Sequence, residues 1–213
     1  MAKKFDIEAE RTRLAGMRIY ENKYSEFDLI CGIDEAGRGP LAGPVVAAAC
    51  ILPKDCEILF LNDSKKLSEK RREMLYDEIV RKAVSYGIGI VSEKVIDEIN
   101  ILQATYEAMR QAISQLSVKP QILLNDAVRI PDVDIRQVPI VKGDAKSVSI
   151  AAASILAKVT RDRLMMKYDE LYPDYGFAQH KGYGTAVHIN AIKEKGPCEI
   201  HRRSFIGHFI SNG

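Results

Sequence analysis

Apolar residues in this chain come in short runs broken by turn residues, and their spacing switches between strand-like and helical several times. Residues 5–24 set Phe5, Ile7, Leu14, Met17 and Tyr20 among Glu, Arg and Lys, which predicts a helix resting on the core with a solvated outer face. Residues 27–33 and 45–52 read as strands, the second ended by Pro53. The Gly- and Pro-rich turn 37–44 between them allows an antiparallel hairpin. After the polar loop 62–67, Ser68 is placed to cap a helix running to about residue 84, with Leu75, Ile79 and Val80 on its apolar face. A strand over 86–91 contains Gly87 and Gly89. Ser92 can cap a short helix, and 102–116 forms a longer one. Two short strands follow: 121–126, ending in Asp126, and 138–141, leading to Lys142-Gly143-Asp144. Residues 145–168 are helical in pattern, and the small side chains of Ala151-Ala152-Ala153-Ser154 suit close packing on a sheet. Loop 176–185 is rich in Gly, His, Lys and Tyr; a helix near 186–195 and a tail with Cys198 and residues 199–205 complete the chain. This order predicts an α/β protein, a mixed sheet covered by helices.

Composition adds little. At 213 residues the chain can bury a full core as one domain. Its hydrophobic fraction of 46% and charged fraction of 28% are ordinary for a globular protein. A net charge of +2 is too small to mark a nucleic-acid binder, so polyanion binding would need clustered basic residues or bound metal. Cys31, Cys50, Cys56 and Cys198 contain no C-x-x-C pair, and buried reduced thiols are the expectation, ahead of disulfides or zinc. With no apolar leader and no apolar run near ~18 residues, the expectation is a cytoplasmic protein that does not enter a membrane.

Candidate chemistry lies in the acids that end buried-looking runs: Asp34 with Glu35, Asp126, and Asp144 after Val141. Alone, Asp144 reads as a turn former or helix cap. Asp34 and Glu35 are harder to dismiss, because paired carboxylates at the end of a buried strand are costly without a cation. Strand neighbours face opposite ways, so Glu35 joins Asp34 only if the chain bends there, and residues 36–39 are expected to supply the bend. Carboxylates without histidine or thiolate partners favour Mg²⁺ or Mn²⁺ over zinc. Two such ions ~4 Å apart suit phosphoryl transfer. Spacing alone leaves a structural acid cluster as the competing reading.

At Gly32-Ile33-Asp34-Glu35-Ala36-Gly37-Arg38-Gly39-Pro40-Leu41-Ala42-Gly43-Pro44 the chain closely resembles the bacterial ribonuclease HII family of type 2 ribonucleases H. The resemblance continues in order through residues 63–68 (Asp-Ser-Lys-Lys-Leu-Ser), 142–147 (Lys-Gly-Asp-Ala-Lys-Ser), 180–185 (His-Lys-Gly-Tyr-Gly-Thr) and 201–205 (His-Arg-Arg-Ser-Phe). It implies a ribonuclease H-like fold with a mixed five-stranded sheet, flanking helices and a helical C-terminal portion. Residues 1–26 would be a helical extension and 27–213 the catalytic domain. It puts metal-binding carboxylates on Asp34, Glu35, Asp126 and Asp144, holding Mn²⁺ or Mg²⁺. Asp162 is set aside as an exposed ion-pair partner inside a helix, and Asp132 and Asp134 as loop acids.

The same resemblance assigns substrate contacts. Gly37-Arg38-Gly39 would read the ribose 2′-hydroxyl, the group that separates RNA from DNA, and Tyr183 would pack on the neighbouring deoxyribose. Lys65, Lys66, Lys146, Ser147, His180 and Lys181 would contact phosphates. Lys70-Arg71-Arg72 reads instead as a wet helix face, and Arg202-Arg203, followed by Phe205, as a segment docking onto the body. Ala127 stands where relatives commonly carry glycine, a departure without consequence for metal binding. The implied activity is metal-dependent endonucleolytic hydrolysis of the RNA strand of RNA–DNA hybrids, including cuts 5′ of single ribonucleotides in duplex DNA, by a monomer. Products would carry 5′-phosphate and 3′-hydroxyl ends. The alternatives are a ribonuclease HIII-like enzyme poor at single ribonucleotides and a non-catalytic hybrid-binding module. No clamp-binding tail is evident in 204–213.

Overall fold

The computed structural model describes residues 6–210, so Phe5 and the last three residues lie outside the described residues. Five strands, β1 (Ile30–Ala36), β2 (Val45–Ile51), β3 (Ser85–Val91), β4 (Ile122–Asp126) and β5 (Arg136–Ile140), form one sheet in the order β3-β2-β1-β4-β5. β1, β2 and β3 are joined antiparallel, with Asp34 opposite Ala48 and Glu35 opposite Ala47, as the Gly- and Pro-rich turn predicts. β4 runs parallel to β1 and β5 parallel to β4. Pro139 is tolerated because β5 is an edge strand.

Helix α1 (Ile7–Gly16) and the short α2 (Ile19–Lys23) replace the single helix expected over 5–24. Met17 and Arg18 break it because Leu14 and Met17 turn into the main core while Arg18 bridges to Ser147. Helix α3 (Glu69–Lys82) starts at its Ser68 cap, whose hydroxyl accepts from the Arg71 amide. In α4 (Glu93–Ser114) Asn100 is non-helical (φ 68°, ψ 164°), so the element is two helical segments joined at that residue.

The 24-residue α5 (Val148–Leu171) crosses the sheet face opposite to α4. A Cβ on Gly32 would lie 2.0 Å from the Ser149 carbonyl carbon, so α5 rests directly on the β1 backbone there. Its Ala151–Ala153 run is fully buried, which bears out the small-sided reading. Short helix α6 (Phe177–His180), α7 (Ala186–Lys195) and α8 (Arg203–Ile210) form the C-terminal portion around Phe177, Tyr175 and Ile200. All four cysteines are free, with Cys31 and Cys50 buried. Among the described residues no helix is long and apolar enough to cross a membrane.

Candidate active site

The parallel register Ile33↔Asn125 puts Asp34 beside Asp126 at the C-terminal ends of β1 and β4. Both point to the α5 side: Gly32, two residues before Asp34, meets Ser149, and Asp126 accepts from the Gly143 amide at 2.8 Å. That bond ties β4 to the 3₁₀ turn Gly143–Ala145 carrying Asp144. Asp34 is 7% exposed. Its carboxylate accepts from the Glu35 amide at 2.8 Å and from the Ser154 hydroxyl, which lies 2.9 Å from that of Ser64.

Glu35 is reached differently from the sequence expectation. β1 stays extended through Ala36, so no bend separates Glu35 from Asp34, and the two side chains leave opposite faces of the strand. They share a site because they stand at the strand's end, where the chain turns only at Gly37 (φ 95°). Both line one open groove of about 490 Å³, with Arg38, Lys65, Lys158 and Tyr183 also on its walls.

Burial, then the charge of Glu35, and also that of Asp126, push the Asp34 carboxyl well above its ordinary range. Burial and Asp126 raise Glu35 against the opposing pull of Arg38 and Lys65. Asp144 is raised by burial and by Asp63 and Asp126. Among the described residues no three acidic, histidine or cysteine side chains converge closely enough to enclose an ion. Yet these acids form a mutually repelling set, and Glu35 Oε2 is buried without a hydrogen-bond partner. An all-carboxylate donor set that raises its own pKa values and holds an orphaned buried oxygen fits a hard divalent cation.

The Gly37-Arg38-Gly39 turn is held from behind by a guanidinium that was expected only to dock. Arg202, 0% exposed, donates to the carbonyls of Gly37 (2.6 Å), Arg38 (2.9 Å) and Gly43 (2.8 and 2.9 Å). Arg161, equally buried, donates to Ala42, Pro44 and Lys181 carbonyls. Among the described residues no acid forms an ion pair with either; burial lowers Arg202 to about 9 and Arg161 to about 10. Arg38 itself is exposed, with Nη1 3.4 Å from Glu35. A Cβ on Gly39 would meet only the Tyr183 ring, at 3.9 Å, so the turn and the half-exposed Tyr183 share one wall.

The expected phosphate contacts separate. Lys65 faces Glu35 and Asp144 closely enough to lower both, and Lys66 extends outward, 3.8 Å from Asp63. Lys146 Nζ donates to the Val141 carbonyl at 3.0 Å, and Lys181 Nζ to that of Ala178. Ser147 and His180 are turned inward. Ser147 Oγ donates to Glu21 and accepts from Ile150, while His180 bonds the Tyr175 carbonyl and accepts from the Gly182 amide. Their hydrogen-bonding capacity is spent inside the chain, which makes them supports of the neighbouring loops in this structure.

Two exposure expectations are corrected. Asp162 is buried, 2.7 Å from Lys158 and 3.7 Å from Arg72. Arg72 turns inward to the Ser64 and Leu67 carbonyls instead of lying on a wet face. Sequence reading also passed over Ser154, Lys158 and Asp63. A signal for the first two exists: Ile150, Ser154 and Lys158 are an i, i+4 row that changes from apolar to polar where α5 passes the end of the sheet.

Residues 31–208 match the family model described as Ribonuclease HII. The curated ribonuclease HII of Lachnoclostridium phytofermentans is 66% identical over 205 residues, covering 96% of this chain and 81% of that protein. The ribonuclease H2 of Pyrococcus horikoshii OT3 superposes with a TM-score of 0.70 at 30% identity, over 86% of this chain and 100% of that one. The ribonuclease HII of Archaeoglobus fulgidus, solved in complex with PCNA, gives 0.68 at 31% identity, over 86% and 95%. The family match spans most of the chain, both strands and helices of the sheet core included, and the chain belongs to the ribonuclease HII family.

Proposed function

We propose that this ribonuclease H hydrolyses the RNA strand of RNA–DNA hybrids and also cuts duplex DNA 5′ of a single embedded ribonucleotide. The observation that carries this reading is one groove containing both Asp34 with Glu35 and the Gly37–Gly39 turn with Tyr183. Asp34, Glu35, Asp126 and Asp144 would hold Mg²⁺ or Mn²⁺, which when bound supplies charge compensation and polarises water and phosphate. The acids must be ionised to do so, and their raised pKa values make that state dependent on the cation or on higher pH. The Gly37–Gly39 turn, whose Gly37 and Arg38 carbonyls Arg202 holds from behind, would read the 2′-hydroxyl through its backbone, and the Tyr183 ring would offer an apolar face to the adjoining sugar. Lys65 and Lys158 supply positive charge along the same groove. The products expected are 5′-phosphate and 3′-hydroxyl ends, with no covalent enzyme intermediate.

The test is incubation with duplex DNA holding one ribonucleotide, and separately with a long hybrid, with each metal and with EDTA. Metal-dependent cutting on the 5′ side of the single ribonucleotide is expected. Cleavage of the hybrid alone would favour a ribonuclease HIII-like specificity.

A further inference from the structure

Glu21 lies on α2, in the segment before the family match begins. Its Oε1 accepts from the Ser147 hydroxyl at 2.5 Å and from the Ser149 amide at 3.0 Å, capping the start of α5 from 126 residues away. Oε2 is buried with no hydrogen-bond partner. Ser147 and Ser149 are 0% and 2% exposed, so losing Glu21 would take the protein acceptor from two buried donors. A carboxylate also suits the positive end of a helix. Arg18 bridges Ser147 through the backbone one turn earlier, so the contact is made twice.

The bonds continue toward the acids. The Ser147 amide donates to the Gly143 carbonyl at 2.8 Å, and the Gly143 amide donates to Asp126 Oδ1 at 2.8 Å. Asp144 is the central residue of that same 3₁₀ turn. A continuous path therefore runs from Glu21 through Ser147 and Gly143 to Asp126, with Asp144 carried on it.

We infer that Glu21 is a positioning residue for the carboxylate site: through Ser147 and the Gly143–Ala145 turn, the N-terminal extension sets where Asp126 and Asp144 stand. This rests on the reading of those acids as cation ligands. A merely structural Glu21 would add stability and nothing more, whereas a positioning Glu21 alters cation affinity in protein that is still folded.

The experiment measures Mn²⁺ binding by electron paramagnetic resonance without substrate, and kcat and KM on a hybrid, at a temperature where circular dichroism shows each variant folded. Glu21→Ala is expected to weaken Mn²⁺ binding about 5-fold or more and to lower kcat with KM for the hybrid unchanged. Glu21→Gln, whose amide oxygen can accept the same two bonds, should recover most of both. Asp28→Ala, which removes an ion pair to Lys54 near the same junction but no bond to α5, should leave Mn²⁺ binding alone. If Glu21→Ala does not fold, Glu21→Asp, one methylene short of Ser149, is read by the same criteria. Wild-type Mn²⁺ affinity in a folded Glu21 variant, or an equal loss in Asp28→Ala, overturns the inference. Failure of the wild-type protein itself to bind Mn²⁺ overturns the reading of the acids, and this inference with it.

Discussion

Asp34 shows how a single side chain can serve the site at the expense of the fold. Its carboxyl is buried beside Glu35 and Asp126, and its folded pKa stands well above the ordinary 3.8. An acid raised on folding binds more protons in the folded state, so its contribution to stability falls as pH rises through that window. Asp34→Asn keeps an oxygen for the Glu35 amide and the Ser154 hydroxyl while removing the charge. The expected outcome is a metal-free protein stabilised by about 1 kcal/mol, a Tm rise of about 2–4 °C, that binds duplex and no longer cleaves it. Calorimetry with EDTA and a cleavage assay check the two halves; retained metal-dependent cleavage would sink the assignment. Arg202 is the opposite case, a charge given wholly to architecture. One lysine ammonium cannot span the Gly37, Arg38 and Gly43 carbonyls, so Arg202→Lys should cost about 3 kcal/mol or more in urea unfolding. An equally stable variant would show that the turn does not depend on the guanidinium.

At the scale of elements, the close seating of α5 on β1 sets the distance between the Asp34 strand and the Asp144 turn. Gly32→Ala would drive a methyl into the Ser149 backbone, 2.0 Å away. It is expected to destabilise by about 3 kcal/mol in chemical denaturation and to weaken Mn²⁺ binding, since backbone cannot step aside as a side-chain tip can. The strands, the Ser68 cap and the break in α4 were legible in the sequence because each is set by nearby residues: alternation, a hydroxyl before a helical run, an interruption between two apolar periods. Four of the five motif blocks likewise supply walls of the groove that contains Asp34, Glu35, Arg38, Lys65 and Tyr183, and the block at 142–147 does not line it. What local pattern could not give was direction. Glu35 leaves the far face of a strand that does not bend at it, Arg72 turns in toward Ser64, and His180 and Ser147 spend their polar atoms on partners in other loops or helices. Those outcomes depend on what lies opposite after folding, and a loop lysine and a loop histidine look alike until then.

Over the whole molecule, two sets of titrating groups work against each other with pH. His188 Nδ1 donates to the Tyr183 carbonyl at 2.9 Å, leaving Nε2 to accept from His201 Nε2 at 3.0 Å. His201 Nδ1 is then free to accept from the Cys198 amide at 3.0 Å. This single tautomer pattern requires neutral rings, and burial lowers both histidines from 6.5 to about 4. A histidine depressed on folding binds fewer protons in the folded state, so its stability contribution is complete above pH 6.5 and is lost as pH falls toward 4. Each can impose a slope of up to about 1.4 kcal/mol per pH unit in that interval. The buried acids act in the reverse sense, costing more as pH rises and they ionise, unless a cation compensates them. Two results are expected from unfolding measured between pH 4 and 8. In EDTA, His188→Gln should gain stability relative to wild type as pH falls from 6.5 to 4, because it lacks one of the two depressed histidines. With Mn²⁺ present, the added stabilisation should grow with pH, because protons and a metal held by these acids would compete for the same oxygens. A Mn²⁺ effect that is flat in pH would separate metal binding from Asp34 and Glu35, and an unchanged acid slope in His188→Gln would move the titration away from the His188–His201 pair.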